Sequence, residues 1–336
     1  MMQAAVYSQT GPAAEVLSVI DMPDPTPARG EVLVRVHASG VNPADVKRRA
    51  GWNGMQMAHD MVIPHCDGAG IIEAVGEGVD PARIGERAWM WNAQGGYGEI
   101  GRAFGTAAEL IALPSMQAVH LPDGLGFAEG ACLGVPGLTA WLLVLADGPV
   151  QGKTVLIQGA AGAVGHMAAQ MAVFSRANVI AVVSSAEAAD GILELGAIQT
   201  INRHEEDVAA RVNELTEGQG VDRIIEVDFA ANLETDIACL AAHGMIASYS
   251  CSSNPTPVLP YYKLADLGAM IRFVQGFRLT SSQRQQAEAT LNELAECGAL
   301  VPSIGAEFSL SDIASAHDHV ARGALGQTVI NLITRD

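Results

Sequence analysis

Between Gln3 and Pro122 the apolar residues come in short runs broken by Gly and Pro: QAAVYS, EVLVRVHASGV, GAGIIEAVG, ERAWMW and TAAELIALP. Short strands at this spacing predict a compact, partly closed β domain. Beyond Pro122 the period changes. AEGACLGVPGLTAWLLVLA reads as a helix, and short apolar runs then alternate with helix-length amphipathic segments. TVLIQG, NVIAVV, QTIN, RIIEVD, GMIASYS and IRFVQG read as strands. GAVGHMAAQMAVFSR, AEAADGILELG and EEDVAARVNELTEG read as helices among them. This βαβ alternation predicts an α/β fold with a doubly wound parallel sheet. After Leu279 come a helix (SSQRQQAEATLNELAECG), further helical pattern (LSDIASAHDHVARG) and a last strand (QTVINLI).

The turn after the first parallel strand carries the clearest chemistry. TVLIQGAAGAVGHMAAQMA runs from a strand through Gly159-Ala160-Ala161-Gly162-Ala163-Val164-Gly165 into a helix. Glycine here lets the backbone approach a pyrophosphate, whose charge is met by amide N–H groups at the helix N-terminus. Gly162 and Gly165 fit the G-x-G-x-x-G spacing, while Ala160 replaces the first glycine. The strand before, the helix after and the further βα units make the motif specific for a dinucleotide. The end of the next strand selects which one. NAD sites place Asp or Glu there to hold the ribose hydroxyls, whereas this chain has neutral Ser184 and Ser185. A 2′-phosphate meets no repulsion, and Arg203 in TINRHEED offers it a cation. The expected cofactor is NADPH.

Composition narrows the class. A chain of 336 residues with 49% hydrophobic content has enough apolar surface for two domains. Its formal charge of −18 argues against nucleic acid and anionic membranes as partners. Five cysteines (Cys66, Cys132, Cys239, Cys251, Cys297) are scattered and odd in number, which fits reduced thiols. No basic-then-apolar leader opens the chain, and no uncharged apolar run reaches the roughly 20 residues of a membrane span. A cytoplasmic protein is expected.

The order of the pieces GVNPADVKRRAG, CDGAGIIEAVGEGV, FGTAAELIALP, GVPGLTAW, VLIQGAAGAVG, LGAIQTINRHEED and AHDHVARGALGQTVINLI carries a resemblance along nearly the whole chain. The sequence resembles the zinc-independent quinone oxidoreductases, ζ-crystallin among them, of the medium-chain dehydrogenase/reductase superfamily. The resemblance implies a GroES-like catalytic domain over 1–122, completed by 280–336, around a Rossmann domain over 123–279. It implies NADPH-dependent reduction of a small-molecule quinone or enone, with a non-catalytic, crystallin-like NADPH-binding protein as the alternative. It also implies a homodimer that pairs the edge strand around MIRFVQGF.

The resemblance assigns roles as well. Asn42 would present a hydrogen-bonding amide to nicotinamide and substrate, and Lys47 a cation to the substrate carbonyl, although many relatives carry Tyr at the Lys47 position. Thr139, Ser250 and Val274 join Asn42 and the glycine-turn residues as cofactor contacts. Zinc-dependent relatives hold their metal with a Cys at the place of Asn42, a His-Glu pair at Cys66-Asp67 and a Cys at Val135. One thiol survives, Val135 has no donor atom, and an amide is a poor ligand, so no metal is expected. His65 lies next to that thiol, but strand alternation would aim it at the opposite face. Asp45 reads as a local cap, His166 as a helix-packing imidazole, and Trp89 and Trp91 as pocket or core. His37, His59, His243 and His317 have no partner at a spacing that suggests a relay.

Overall fold

A computed structural model describes residues 1–95, 101–323 and 325–332; Ile333, the last residue of the QTVINLI run, lies outside them. The chain divides into one unit of Met1–Pro136 with Glu288–Asp336 and a second unit of Gly137–Ala287.

In the first unit the long strand Glu31–Val41 organises the sheet. It pairs antiparallel with Asp67–Val75, Leu110–Pro114 and Gln327–Asn331. Its alternation is clean: Val32, Val34, Val36 and Ala38 are buried, together with Ile72 and Leu113 from its neighbours. Trp89 is fully buried, and its indole N–H donates to Asn292 Oδ1 at 3.1 Å, so it is core.

The second unit holds six parallel strands: Thr154–Ile157, Asn178–Val183, Gln199–Asn202, Val221–Glu226, Leu240–Ser248 and Met270–Phe273. All six match the apolar runs read from the sequence. Thr154–Ile157 lies inside the sheet between Asn178–Val183 and Val221–Glu226. The turn that follows it therefore opens at the carboxyl ends of the strands, where the order of an open α/β sheet reverses and ligands bind. Met270–Phe273 is an edge strand.

Two expectations fail locally. AEGACLGVPGLTAWLLVLA is not one helix: it breaks into Phe127–Gly130, a wide π turn at Leu133–Gly137 and the helix Leu138–Val144. Pro136 lies inside that turn and has no N–H for the ladder, so the helix cannot run through it. The tail also contains an unexpected strand, Ile304–Ser309, parallel to Gln327–Asn331. Every residue of that strand is at least partly exposed, so it lacks the buried face that makes a strand legible.

Candidate functional site

In the first unit, Asn42 closes the long strand and caps the helix Pro43–Ala50. Its backbone N–H donates to Asp45 Oδ2 at 2.9 Å, which makes Asp45 the expected cap. The Asn42 side chain is held at both ends. Nδ2 donates to Asp67 Oδ2 at 2.7 Å, and Gln327 Nε2 donates to Asn42 Oδ1 at 3.3 Å. The Val135 backbone N–H donates to the same Asp67 oxygen at 2.7 Å. Glycine at 134 makes this possible, since a Cβ there would lie 2.2 Å from Asp67 Oδ1.

Both acids are fully buried. Desolvation pushes the Asp67 carboxyl up to about 8 and Asp45 up to about 6, against the pull of the Arg48 charge on Asp45. Cys66 is a neutral thiol: burial raises it to about 12 although Arg48 Nη1 donates to its sulfur at 3.2 Å. Lys47 is half-buried, with Nζ 4.8 Å from the centre of the Trp52 ring, a cation–π distance. Arg49 is buried and donates to the Gly11 carbonyl at 2.5 Å. Among the described residues no three His, Cys, Asp or Glu side chains converge in a way that would hold a metal ion.

His65 and His317 require a correction. His65 precedes the strand Asp67–Val75 and has a left-handed φ of 77°, so strand alternation does not govern its direction. Its Nε2 lies 3.0 Å from Nε2 of His317, which therefore does have a partner. Hydrogen accounting fixes the tautomers. Thr106 donates to the Asp67 carbonyl at 2.5 Å, so Ser39 must donate to Thr106 at 2.7 Å. Ser39 in turn accepts from Nδ1–H of His65 at 2.8 Å. His65 Nε2 is then an acceptor, and His317 Nε2–H is its donor. The wire is fully buried, and burial holds both imidazoles neutral, His65 well below the usual range and His317 at about 3.

In the second unit, the glycine turn matches the sequence reading in place but not in each glycine's job. Gly159 takes the left-handed conformation, with φ of 64°. Gly162 caps the helix Ala163–Phe174 with extended backbone and no side-chain bond. The amides of Ala163, Val164 and Gly165, the helix's first three, thus have no partner within the helix. Gly165 serves packing: a Cβ there would meet the Gly159 carbonyl at 2.3 Å and Ala160 Cα at 2.8 Å. Ala160 is buried beneath the turn, and its N–H donates to Val182 O. His166 bonds Gln170 within its own helix at 2.9 Å, a local packing role.

Beside this turn, the backbone N–H of Arg203 donates to Val183 O at 3.1 Å, which places it next to Ser184. Ser185 caps the helix Ala186–Glu194 by accepting from the Ala188 N–H at 3.2 Å, which leaves its own hydrogen free to donate. Ser250 and Val274 come together in one cavity of about 440 Å³, shared with Leu142, Phe273 and Arg278. Thr139 is buried at the second position of the helix Leu138–Val144.

The sequence reading missed a buried acid pair. Glu226 ends its strand and Asp236 lies on the helix Phe229–Cys239; both are fully buried. A carboxylate directly after the apolar pair Ile224-Ile225 was the available signal.

A two-unit fold of this kind, with a sheet organised by one long antiparallel strand and a parallel dinucleotide-type sheet, defines a medium-chain dehydrogenase/reductase. Residues 28–123 match the family model of the alcohol dehydrogenase GroES-like domain, and residues 163–296 match that of the zinc-binding dehydrogenase. A quinone oxidoreductase from Sus scrofa is 33% identical over 317 residues, 93% of this chain and 92% of its own length. A 2-haloacrylate reductase from Burkholderia is 29% identical over 98% of each chain. Among solved structures, a mycobacterial protein in complex with NADPH aligns with a TM-score of 0.85 at 27% identity, over 99% of this chain and 100% of its own. An NAD-dependent alcohol dehydrogenase aligns with a TM-score of 0.89 at 28% identity, over 98% and 100%. The chain belongs to the quinone oxidoreductase family of the medium-chain dehydrogenase/reductase superfamily.

Proposed function

We propose that this chain is an NADPH-dependent oxidoreductase that reduces quinones without zinc. The reading rests above all on one arrangement: the turn Gly159–Gly162 opens a helix whose first amides lack partners within it, with Ser184 and Arg203 alongside. These residues fit the cofactor. The amides suit a pyrophosphate, and two hydroxyls with a guanidinium suit a 2′-phosphate. When bound, NADPH supplies the hydride.

The protein's own part is to bind, orient and absorb charge. In a quinone or enone the incoming charge spreads over a conjugated system, so fixed hydrogen-bond donors do what a Lewis acid must do for a simple ketone. Asn42 meets that need. With one Nδ2 hydrogen committed to Asp67 and its oxygen to Gln327, the amide cannot flip, and its other N–H points in a fixed direction. Lys47 is the candidate cation toward the substrate carbonyl. The donor set does not suit zinc: Asn42 and Asp67 bond each other, Cys66 is the lone thiol, and Val135 offers only a backbone N–H.

Purified protein mixed with NADPH and benzoquinone or phenanthrenequinone should oxidise the cofactor well above background. No oxidation across a panel of quinones and enals would sink the enzymatic reading. The Burkholderia relative's name favours one alternative substrate, a conjugated double bond, and faster turnover of enals than of quinones would select it. Elemental analysis should find well below one zinc per chain, with activity unchanged by chelators. Stoichiometric zinc whose removal abolishes activity would reverse that part.

We also propose that the protein works in the cytoplasm as a homodimer. Met270 and Phe273 on the edge strand are 51% and 66% exposed, and Tyr261 and Tyr262 nearby are 73% and 79% exposed. Apolar side chains on an open sheet edge are costly to leave in water. Light scattering should give twice the chain's 35.0 kDa; a particle of the monomer's mass would refute the assembly.

A further inference from the structure

Gln158, the residue just before Gly159, is tied down by side chain and main chain alike. Its backbone N–H donates to Ile225 O at 2.9 Å, and its Nε2 donates to Asp236 Oδ1 at 3.0 Å. Asp236 in turn faces the Glu226 carboxyl. Glu226 accepts from Asn232 Nδ2 at 3.0 Å and from the Asp228 backbone N–H. The other oxygen of Asp236, Oδ2, is buried with no donor among the described residues.

Two carboxylates offer only acceptors, so they can bond each other only if one holds a proton. Asp228 and Tyr249 lie on the Glu226 side, and the buried Cys239 thiol lies beside Asp236. Glu226 already accepts two N–H groups, whereas no donor reaches the buried Asp236 Oδ2, so that oxygen is the one placed to carry the proton; burial and the neighbouring Glu226 charge push the Asp236 carboxyl up to about 9. Its O–H then donates to Glu226 while its carbonyl oxygen accepts from Gln158. The result is a directed brace from the strand end Glu226, through the helix carrying Asp236, to the start of the glycine turn.

We propose that Glu226 and Asp236 are positioning residues for the cofactor: while the pair shares one proton it fixes Gln158 and the glycine turn in the conformation that binds NADPH, and its loss releases the turn. The inference rests on the NADPH reading above. The sign follows from the raised acidity constant. The brace is intact below the folded value and is lost as pH rises through it, when two buried charges face each other unpaired.

The test is NADPH binding by fluorescence titration at about pH 7 and about pH 10, with thermal unfolding of the unliganded chain measured in parallel. Wild type should weaken by roughly tenfold or more on going alkaline, the equivalent of one lost charged hydrogen bond. Asp236→Asn keeps both bonds, donating to Glu226 and accepting from Gln158, and cannot deprotonate. It should bind like wild type near neutrality and lose the alkaline weakening. Asp236→Leu should bind roughly tenfold more weakly at both pH values; if it does not fold, the Asn variant carries the test. An alkaline loss that persists unchanged in Asp236→Asn overturns the inference, as does a wild-type affinity equal at both pH values. If wild type does not bind NADPH even near neutrality, the cofactor reading itself has failed.

Discussion

Replacing Arg203 by Ala is expected to erase most of a ten- to hundredfold preference for NADPH over NADH. The position follows from the sheet. Asn202 pairs with Val183, and the next N–H, that of Arg203, donates to Val183 O, so the guanidinium starts at the carboxyl end of the strand that precedes Ser184. The residue is exposed, and its side chain has no ion pair within the described residues. It can turn to a phosphate without breaking an ion pair. A guanidinium donates two parallel hydrogen bonds and stays charged at every working pH. Such a charge-assisted contact is worth roughly 1.5–3 kcal/mol, and each 1.4 kcal/mol is about tenfold. The loss should fall on the Michaelis constant for NADPH and leave that for NADH nearly untouched. Steady-state kinetics with both cofactors decides it: equal use by wild type, or a preference that survives in the variant, reduces Arg203 to a surface charge.

The parallel sheet was legible because its inner strands are largely buried and read as apolar runs separated by helical periods. The glycine turn was legible for a different reason, since its residues are adjacent in sequence. Their separate duties were not. That Gly165 is reserved for packing and Gly159 for a left-handed turn depends on which backbone lies opposite, and spacing does not record this. Asn42 and Asp45 form a local cap, readable at three residues' distance, whereas the bond from Asn42 to Asp67 is made by strand pairing. The failures have separate causes. A helix pattern could not show that Pro136 would force a π turn, and the exposed strand Ile304–Ser309 had no buried face to detect. His65 and His317 stand 252 residues apart, so only the folded topology makes them neighbours.

That pair sets the second large expectation: His317→Gln should make the protein relatively more acid-resistant. In the fold His317 is a neutral donor to His65, held at about 3 by burial and by the Arg49 charge. Unfolded, it titrates near 6.5. Between those values the unfolded chain binds a proton that the native chain does not, so acid favours unfolding. The depressed constant means this contribution to stability is full above about pH 6.5 and is lost as pH falls towards 3. Each pH unit in that window costs about 1.4 kcal/mol per suppressed imidazole. Asp45 and Asp67 act in the opposite direction, because their raised carboxyls hold protons in the native state that the unfolded chain releases above about 4. The wild-type pH profile alone therefore mixes effects that partly cancel. Comparison with the variant separates them, since the carboxyls are common to both proteins. Gln can keep the donor to His65 but never takes a proton. Near neutrality it should cost about 1–3 kcal/mol through imperfect packing and hydrogen bonding. By about pH 4.5 that deficit should shrink by about 2–3 kcal/mol, the imidazole's share over two pH units. Urea unfolding of both proteins from about pH 7 to pH 4.5 measures the difference directly. Parallel profiles would mean that His317 takes up its proton within the fold and that the neutral wire through His65 and Ser39 does not persist in acid.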